Sequence, residues 1–264
     1  MREAHGLLSV SFYECDDAVY RSHGLMGGAR LGRLSLSTYR GLDRLIARGG
    51  YRVAVSGVHP CAGIDKRAGQ LRQWILDNRD LLGEQRIILV AHSLGGLDAR
   101  YMLARLGMAE RVQTLLTISA PHRGSPYADY WFKHFWRRLP VLRILQEIGL
   151  DLRAISNLTT ENCTRFNEEI TDVPEVKYFS ISGAVPRNLV TAFGRKSWDI
   201  VNAAQGANDG LVAVQSAIWA THLGTWAADH WQQVNRKIPR ARNLVPDISP
   251  FYLEALKTVA AESR

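Results

Sequence analysis

The hexapeptide AHSLGG at 91–96 is the segment whose residue types and spacing point most directly to chemistry. It follows the apolar run RIILV and precedes a helix-length segment. A serine at the apex of a strained strand-to-helix turn is an exposed nucleophile, and such a turn needs small residues two positions before and after it. Ala91 and Gly95 meet that need around Ser93. The pattern predicts a serine that forms covalent intermediates, the alternative being an ordinary serine in a glycine-rich turn.

Main-chain N–H groups near this serine are predicted to stabilise negative charge on a substrate oxygen. Leu94 stands at the N-terminus of the following helix, where N–H groups lack intrahelical partners and the helix dipole favours an anion. A second donor is expected from the loop SHGLMGG at 22–28, with Leu25 as the candidate. The alternative for this loop is a simple glycine-rich turn, because the run before it, Ala18–Arg21, is short and charged.

Aliphatic and β-branched runs alternate with helix-length segments, which indicates the elements that position these groups. The predicted strands are Tyr51–Val58, Arg86–Ala91, Gln113–Ser119 and Val176–Gly183. Segments with apolar residues at helical spacing separate the first three. The alternation predicts an α/β fold with a mostly parallel, doubly wound sheet.

Residues 126–175 interrupt this alternation, and their period is helical. We predict a helical cap there, inserted into a core formed by residues 1–125 and 176–264. The stretch Tyr130–Ile148 is amphipathic, with tryptophan and phenylalanine beside a basic run that includes Lys133. Two interpretations stay open: a lid that contacts a lipid surface, or a cap packed permanently over the site.

The composition limits the function classes. A chain of 264 residues, 46% hydrophobic and 22% charged, can bury one sizeable core. Its net charge of +8 carries no nucleic-acid-binding signature, so no nucleic acid partner is expected. No run is long and apolar enough for a membrane-spanning helix, and no secretory leader is recognised. The expected location is the cytoplasm, or outside the cell if further sequence precedes Met1.

Five motifs occur along the chain in the order HGLMGG, AHSLGGLDARY, ISAPHRGSPYAD, ANDGLV and DHWQQVN. Bacterial lipases of the α/β-hydrolase fold, the Pseudomonas and Burkholderia type, have such motifs in the same order. The chain resembles that family, although the predicted cap is shorter and matches poorly. The resemblance implies hydrolysis of carboxylic esters, with Ser93 as nucleophile, Asp209 as acid and His230 as base. It also implies a lipid or small ester as substrate.

The residue types alone leave rivals for two of these roles. His222 also follows the candidate acid, but His230 is favoured because Trp226 and Trp231 flank it and would desolvate an imidazole. Asp199 and Asp229 compete with Asp209. Asp209 is favoured because the adjacent glycine permits an exposed turn, whereas an aspartate directly before a helix is more often a cap.

The resemblance also implies a calcium site and a disulfide, and the chain departs from both. Gln232 stands where the family has a calcium-binding aspartate, and Arg236 stands where a further ligand is expected, so we predict no metal and no cofactor. Three scattered cysteines support no disulfide framework. Two other functions stay open: an acyltransferase with the same triad, and a non-catalytic lipid-binding protein on this fold. The oligomeric state is left open.

Overall fold

A computed structural model describes residues 9–14, 42–58, 61–134, 153–190, 194–235 and 247–262. Its six-stranded sheet has the order β2-β1-β3-β4-β5-β6, and every described pairing is parallel. The strands β1 to β6 are Ser9–Glu14, Arg52–Gly57, Ile87–His92, Val112–Ile118, Lys177–Gly183 and Thr221–Trp226. The predicted α/β fold with a parallel, doubly wound sheet is confirmed.

The helices lie on both faces of the sheet. In chain order, α1 to α5 are Leu42–Arg48, Ile64–Asp77, Arg79–Leu82, Gly95–Arg105 and Pro126–His134. Helices α6 to α10 are Ala154–Asn157, Thr160–Glu169, Arg195–Gln205, Val214–Ala217 and Ser249–Glu262. Short 3-10 turns occupy Arg187–Leu189 and Gln232–Val234. None of the described helices is long and apolar enough to cross a membrane.

The central strand β3 shows why the core has two layers. Its side chains are buried throughout, as expected for a strand covered on both faces. Ile88 and Val90 pack on the side of α10 with Tyr252, whereas Ile87 and Leu89 pack on the side of α2 and α4. This alternation follows from the two-residue period of a strand, and it fixes which loops meet at the carboxyl edge of the sheet.

Four of the six strands were predicted from the sequence, and two were not. The strands β2, β3, β4 and β5 lie within about one residue of their predicted limits. The strands β1 and β6 are additional. The short charged run Ala18–Arg21, which precedes the glycine-rich loop, lies outside the described residues.

The chain between β4 and β5 contains helices α5, α6 and α7, while residues 135–152 lie outside the described residues. The carboxylate of Asp129 on α5 accepts hydrogen bonds from both the main-chain N–H and the hydroxyl of Thr160, each at 2.9 Å. These bonds join α5 to α7. The boundaries of a separate cap stay a prediction.

Arg100 on α4 ties the same region to the core. The residue is 2% exposed. Its guanidinium donates to the Asn167 side chain at 2.8 Å and to the Ile170 carbonyl at 2.9 Å, and it lies 3.7 Å from the Trp219 ring centroid. His122, from the PHRGS motif, stacks on the same tryptophan. The helix that follows Ser93 is thus attached to the end of α7.

Candidate active site

Ser93 lies at the sharp turn between β3 and α4. Its φ is +56°, in the left-handed region that a residue with a Cβ rarely adopts. The turn is held because the Ser93 N–H donates to the carbonyl of Ile118 in the neighbouring strand at 3.0 Å. Such strain at the end of a central strand presents the hydroxyl beyond the sheet edge, as a nucleophile elbow requires.

Gly96, which follows the predicted small residue Gly95, packs tightly against the end of β4. A Cβ on Gly96 would lie 2.5 Å from the Cβ of Ala120 and 3.1 Å from Cγ2 of Thr117. The glycine therefore allows α4 to approach β4 closely. Ala91 is fully buried below the turn. The need for a small residue at Gly95 stays a prediction, and Gly96 is a further position where a side chain is excluded.

Ser93, His230 and Asp209 are brought together into one hydrogen-bonded chain. The imidazole Nε2 of His230 is 3.0 Å from the Ser93 Oγ, and its Nδ1 is 2.8 Å from the Asp209 Oδ2. Their exposed fractions are 6% for Ser93 and 1% for each of the other two. Since a carboxylate only accepts, Nδ1 carries the proton and Nε2 faces the hydroxyl as the acceptor.

Asp209 is held by main-chain donors on its other oxygen. Its Oδ1 accepts from the N–H of Leu211 at 3.0 Å and of Val212 at 2.8 Å. Burial alone raises the pKa of this carboxyl, but the charge and hydrogen bond of His230, with the two main-chain donors, outweigh burial and hold the pKa below its usual value. The group is therefore a carboxylate at neutral pH.

His230 is carried on a capped turn. The Oδ1 of Asp229 accepts from the N–H of Trp231 at 3.0 Å and of Gln232 at 2.8 Å, and the Gln232 Oε1 accepts from the Asp229 N–H at 2.8 Å. This reciprocal pattern is a capping box, in which His230 is the first residue after the cap. The Asp-x-x-Gln spacing was the sequence signal that could have revealed it.

The second oxygen of Asp229 has a different environment. Oδ2 is buried and has no hydrogen-bond partner among the described residues. Burial raises the pKa of Asp229 to about 6, against the opposing effect of the hydrogen bonds from Gln232 and Trp231. Asp229 and Asp209 are therefore adjacent carboxyls whose pKa values are moved in opposite directions.

His92 packs directly against His230. Its ring centroid lies 4.5 Å from that of His230. Burial, followed by the charge of His230, lowers the pKa of His92 well below its usual value. His92 is therefore neutral at physiological pH and adds no positive charge beside an imidazolium.

The rivals considered from the sequence lie elsewhere. His222 is on β6, where its ring nitrogens lie 3.3 Å from the Ser180 Oγ and 3.4 Å from the Ser182 Oγ. Asp199 forms an exposed ion pair with Arg187, and the hydrogen bond from that guanidinium is the main cause of a lowered Asp199 pKa. Neither residue is hydrogen-bonded to Ser93 or His230.

Of the two candidate oxyanion donors, only Leu94 lies among the residues that the structure describes. Leu94 directly precedes α4 and is the residue after the nucleophile candidate. Its side chain is 2% exposed, within the cluster around Leu97. Leu25 lies outside the described residues, and so does the rest of the SHGLMGG loop.

The metal site implied by the resemblance does not fit the described residues. The Oε1 of Gln232, at the position of the family's calcium-binding aspartate, already accepts the Asp229 N–H. No group of three or more His, Cys, Asp or Glu side chains in the described ranges is arranged to hold a metal ion. Arg236 lies outside those ranges.

Similarity to known proteins agrees with this geometry. The family model of a PGAP1-like alpha/beta domain matches residues 72–192. Triacylglycerol lipase 2 of Saccharomyces cerevisiae is 31% identical over 227 residues, which cover 83% of this chain and 67% of the yeast protein. The chain belongs to the α/β-hydrolase lipase family. The resemblance drawn from the five motifs is thereby confirmed.

Other members of the lipase family match over shorter or more distant alignments. A Pseudomonas fragi triacylglycerol lipase is 33% identical over 107 residues, which are 40% of this chain and 35% of that enzyme. Among solved structures, a metagenomic carboxyl esterase superposes with a TM-score of 0.74 at 21% identity. The superposition covers 99% of this chain and 77% of the esterase chain. This member of the family is a carboxylic ester hydrolase of the lipase and esterase type.

Proposed function

We propose that Ser93, His230 and Asp209 form the catalytic triad of an esterase reaction that passes through an acyl-enzyme. The observation that carries the proposal is the unbroken hydrogen-bonded chain from the Ser93 Oγ through both nitrogens of His230 to the Asp209 Oδ2. The Ser93 Oγ attacks the ester carbonyl while the His230 Nε2 takes its proton. The carboxylate of Asp209 stabilises the imidazolium that results.

The tetrahedral intermediate needs donors for its oxyanion. We assign the main-chain N–H of Leu94, at the N-terminal end of α4, as one donor, and the N–H of Leu25 as the second. Collapse of the intermediate expels the alkoxide, which takes the proton from His230. Water then attacks the acyl-enzyme with His230 as base again, and the free acid and Ser93 are restored.

The substrates proposed are acylglycerols or related lipid esters. The relatives named as triacylglycerol lipases support this class. Helix α5 supports contact with a lipid surface, since it carries partly buried aromatic side chains. The Tyr127 and Tyr130 rings stack with centroids 6.4 Å apart, and the Trp131 Nε1 donates to the Tyr127 hydroxyl at 3.0 Å. Aromatic rings with a polar end suit the boundary between water and lipid.

The triad is tested with Ser93→Ala. This variant should lose labelling by a fluorophosphonate probe and lose hydrolysis of a p-nitrophenyl acyl ester. Ser156→Ala is the matched control, because the Ser156 hydroxyl bonds only to the Arg153 carbonyl among the contacts described. Retained labelling or hydrolysis in Ser93→Ala would overturn the assignment.

The substrate class is tested with esters of increasing acyl length, each presented as monomers and as an emulsion. A lipid-surface enzyme should accelerate severalfold when the ester passes from monomers to emulsion. Equal rates in the two states, with preference for short acyl chains, would exclude the proposed lipid contact. Product analysis with added alcohols distinguishes hydrolysis from acyl transfer.

A further inference from the structure

A second side chain, Gln233, reaches the carboxylate that orients the base. Its Nε2 donates to the Asp209 Oδ2 at 3.1 Å, the same oxygen that binds the His230 Nδ1. The Gln233 side chain is 0% exposed. The same Nε2 lies 3.3 Å from the Ala228 carbonyl oxygen. One amide group therefore joins the acid of the proposed triad to the strand end that precedes the base.

Two main-chain hydrogen bonds and the space beside Gly183 fix the position of Gln233. The Tyr252 hydroxyl donates to the Gln233 carbonyl at 2.8 Å, which attaches the residue to α10. The Gln233 N–H donates to the Asp229 carbonyl at 3.1 Å. At the end of β5, a Cβ on Gly183 would lie 1.9 Å from the Gln233 Nε2, so the glycine leaves the space that the amide occupies.

The chemistry of the side chain matters as much as its position. Burying an amide is unfavourable unless it forms hydrogen bonds, so packing alone would favour an apolar residue here. A carboxylate in its place would stand about 3 Å from the charge of Asp209 and oppose its ionisation. A neutral donor stabilises the ionised form without adding charge.

We propose that Gln233 is a positioning residue of the ester hydrolase, which fixes the rotation of the Asp209 carboxylate so that Oδ2 stays in line with the His230 Nδ1. The inference rests on the proposed triad. Without the amide, Oδ2 keeps a single side-chain donor, and the carboxylate can turn about the two main-chain bonds on Oδ1. The carboxylate would also hold a proton, or an imidazolium, more strongly.

The titratable groups around Gln233 come from four segments. They are Asp209 from the acid loop, Asp229 and His230 from the capped turn, His92 from the end of β3 and Tyr252 from α10. Gln233 also forms a side-chain hydrogen bond with His92, which opposes the lowering of the His92 pKa by burial. Loss of that bond would lower the pKa further, so His92 is neutral at physiological pH with or without the amide. A change at residue 233 therefore acts on charge mainly through Asp209 and its bond to His230.

The test is Gln233→Leu, which keeps a similar volume and removes the donor. We expect kcat to fall about 10- to 100-fold, the range for loss of a hydrogen bond to a charged group, with KM changed by less than about twofold. In a plot of kcat against pH, kcat falls on the acid side, and we expect this acid-side fall to occur at higher pH in the variant. Gln215→Leu, at an exposed position, is the matched control and should match the unchanged protein. Thermal melting and counting of fluorophosphonate-reactive sites correct for unfolded material.

An acid-side fall of kcat at the same pH as in the unchanged protein, whatever the loss of rate, would overturn the proposal, because a packing role lowers the rate equally at every pH. If Gln233→Leu does not fold, Gln233→Met decides instead, because it removes the donor and its flexible apolar side chain adapts to the same space. The acid-side fall should again move to higher pH, and an unmoved fall overturns the proposal. Failure of Ser93 to label in the unchanged protein would reject the triad, which is a separate result.

Discussion

His230 and Asp209 are joined by two hydrogen bonds, one between side chains and one between main chains. The imidazole Nδ1 lies 2.8 Å from Oδ2, and the main-chain N–H of His230 donates to the Asp209 carbonyl at 2.9 Å. The second bond fixes the distance between the two loops independently of the carboxylate. Changes to either side chain can therefore be tested with the loops still held together.

Asp209→Asn should lower kcat by about 10⁴-fold, because an amide can present its N–H to the imidazole and leave the wrong tautomer facing Ser93. The measurement is steady-state hydrolysis of a p-nitrophenyl ester, with KM determined separately. Asp199→Asn is the matched control, since its carboxylate pairs only with exposed Arg187 in the contacts described, and it should stay within about twofold. Equal losses in both variants would contradict the assignment of the acid.

His230→Ala and His222→Ala distinguish the two histidines that the sequence left in competition. We expect His230→Ala to lose hydrolysis by about 10⁴-fold or more, since no other described group contacts the Ser93 hydroxyl through a basic nitrogen. His222→Ala should retain most activity, because its ring bonds only to serines of β5 in the described structure. The reverse ranking of the two rates would show that the base was misassigned.

Gly96→Ala should destabilise the fold by about 1–3 kcal/mol, because the new methyl group would overlap Ala120. The measurement is denaturant unfolding, and Ala120→Gly in the same chain should restore much of the loss. A Cβ on Gly69 of α2 would meet no atom within 4 Å, so Gly69→Ala is the control and should be neutral or stabilising. Equal effects at the two glycines would contradict the close approach of α4 to β4.

The free energy of unfolding should fall as the pH rises from about 4 to about 6, because Asp229 loses its proton in the folded protein. Its folded pKa, about 6, lies above an unfolded value of about 3.9, so the folded protein binds more protons in that range. Asp229→Asn keeps an acceptor for the cap and cannot ionise. The variant should be more stable at pH 7 by about 1–3 kcal/mol, and the advantage should vanish below about pH 4. A difference that is constant from pH 4 to pH 7 would contradict the raised pKa.

Chelation of divalent cations should leave activity and the melting temperature unchanged. The side-chain oxygen of Gln232 is committed to the Asp229 N–H, and an amide lacks the charge that draws calcium to this position in related enzymes. The assay compares initial rates with EDTA, with added calcium and with neither. Loss of activity that calcium restores would refute this prediction.

The elements that could be predicted from the sequence are those specified by the residue pattern of a short segment. Strand β3 and Ser93 follow from a buried aliphatic run and a turn of small residues. Strand β6 was missed because its side chains are mostly part-exposed and its pairing shifts register near Gly224, whose φ is +140°. That strand is specified by pairing with β5 rather than by its own apolar pattern.

The contacts of Gln233 could not be predicted for a different reason. Gln233 is 24 residues from Asp209 in the sequence, and the two side chains come into contact beside Gly183 and Tyr252. No spacing rule relates these four positions, since their meeting depends on the order of the strands in the sheet. The capping box of Asp229, by contrast, has a local signature and was open to prediction.

The bonds from Asp129 to Thr160 and from Arg100 to the end of α7 have a consequence for how this enzyme can diversify. They hold the chain on both sides of residues 135–152 to the body that carries Ser93. A different peptide of suitable length could therefore be grafted between those points while the serine, the base and the acid keep their arrangement.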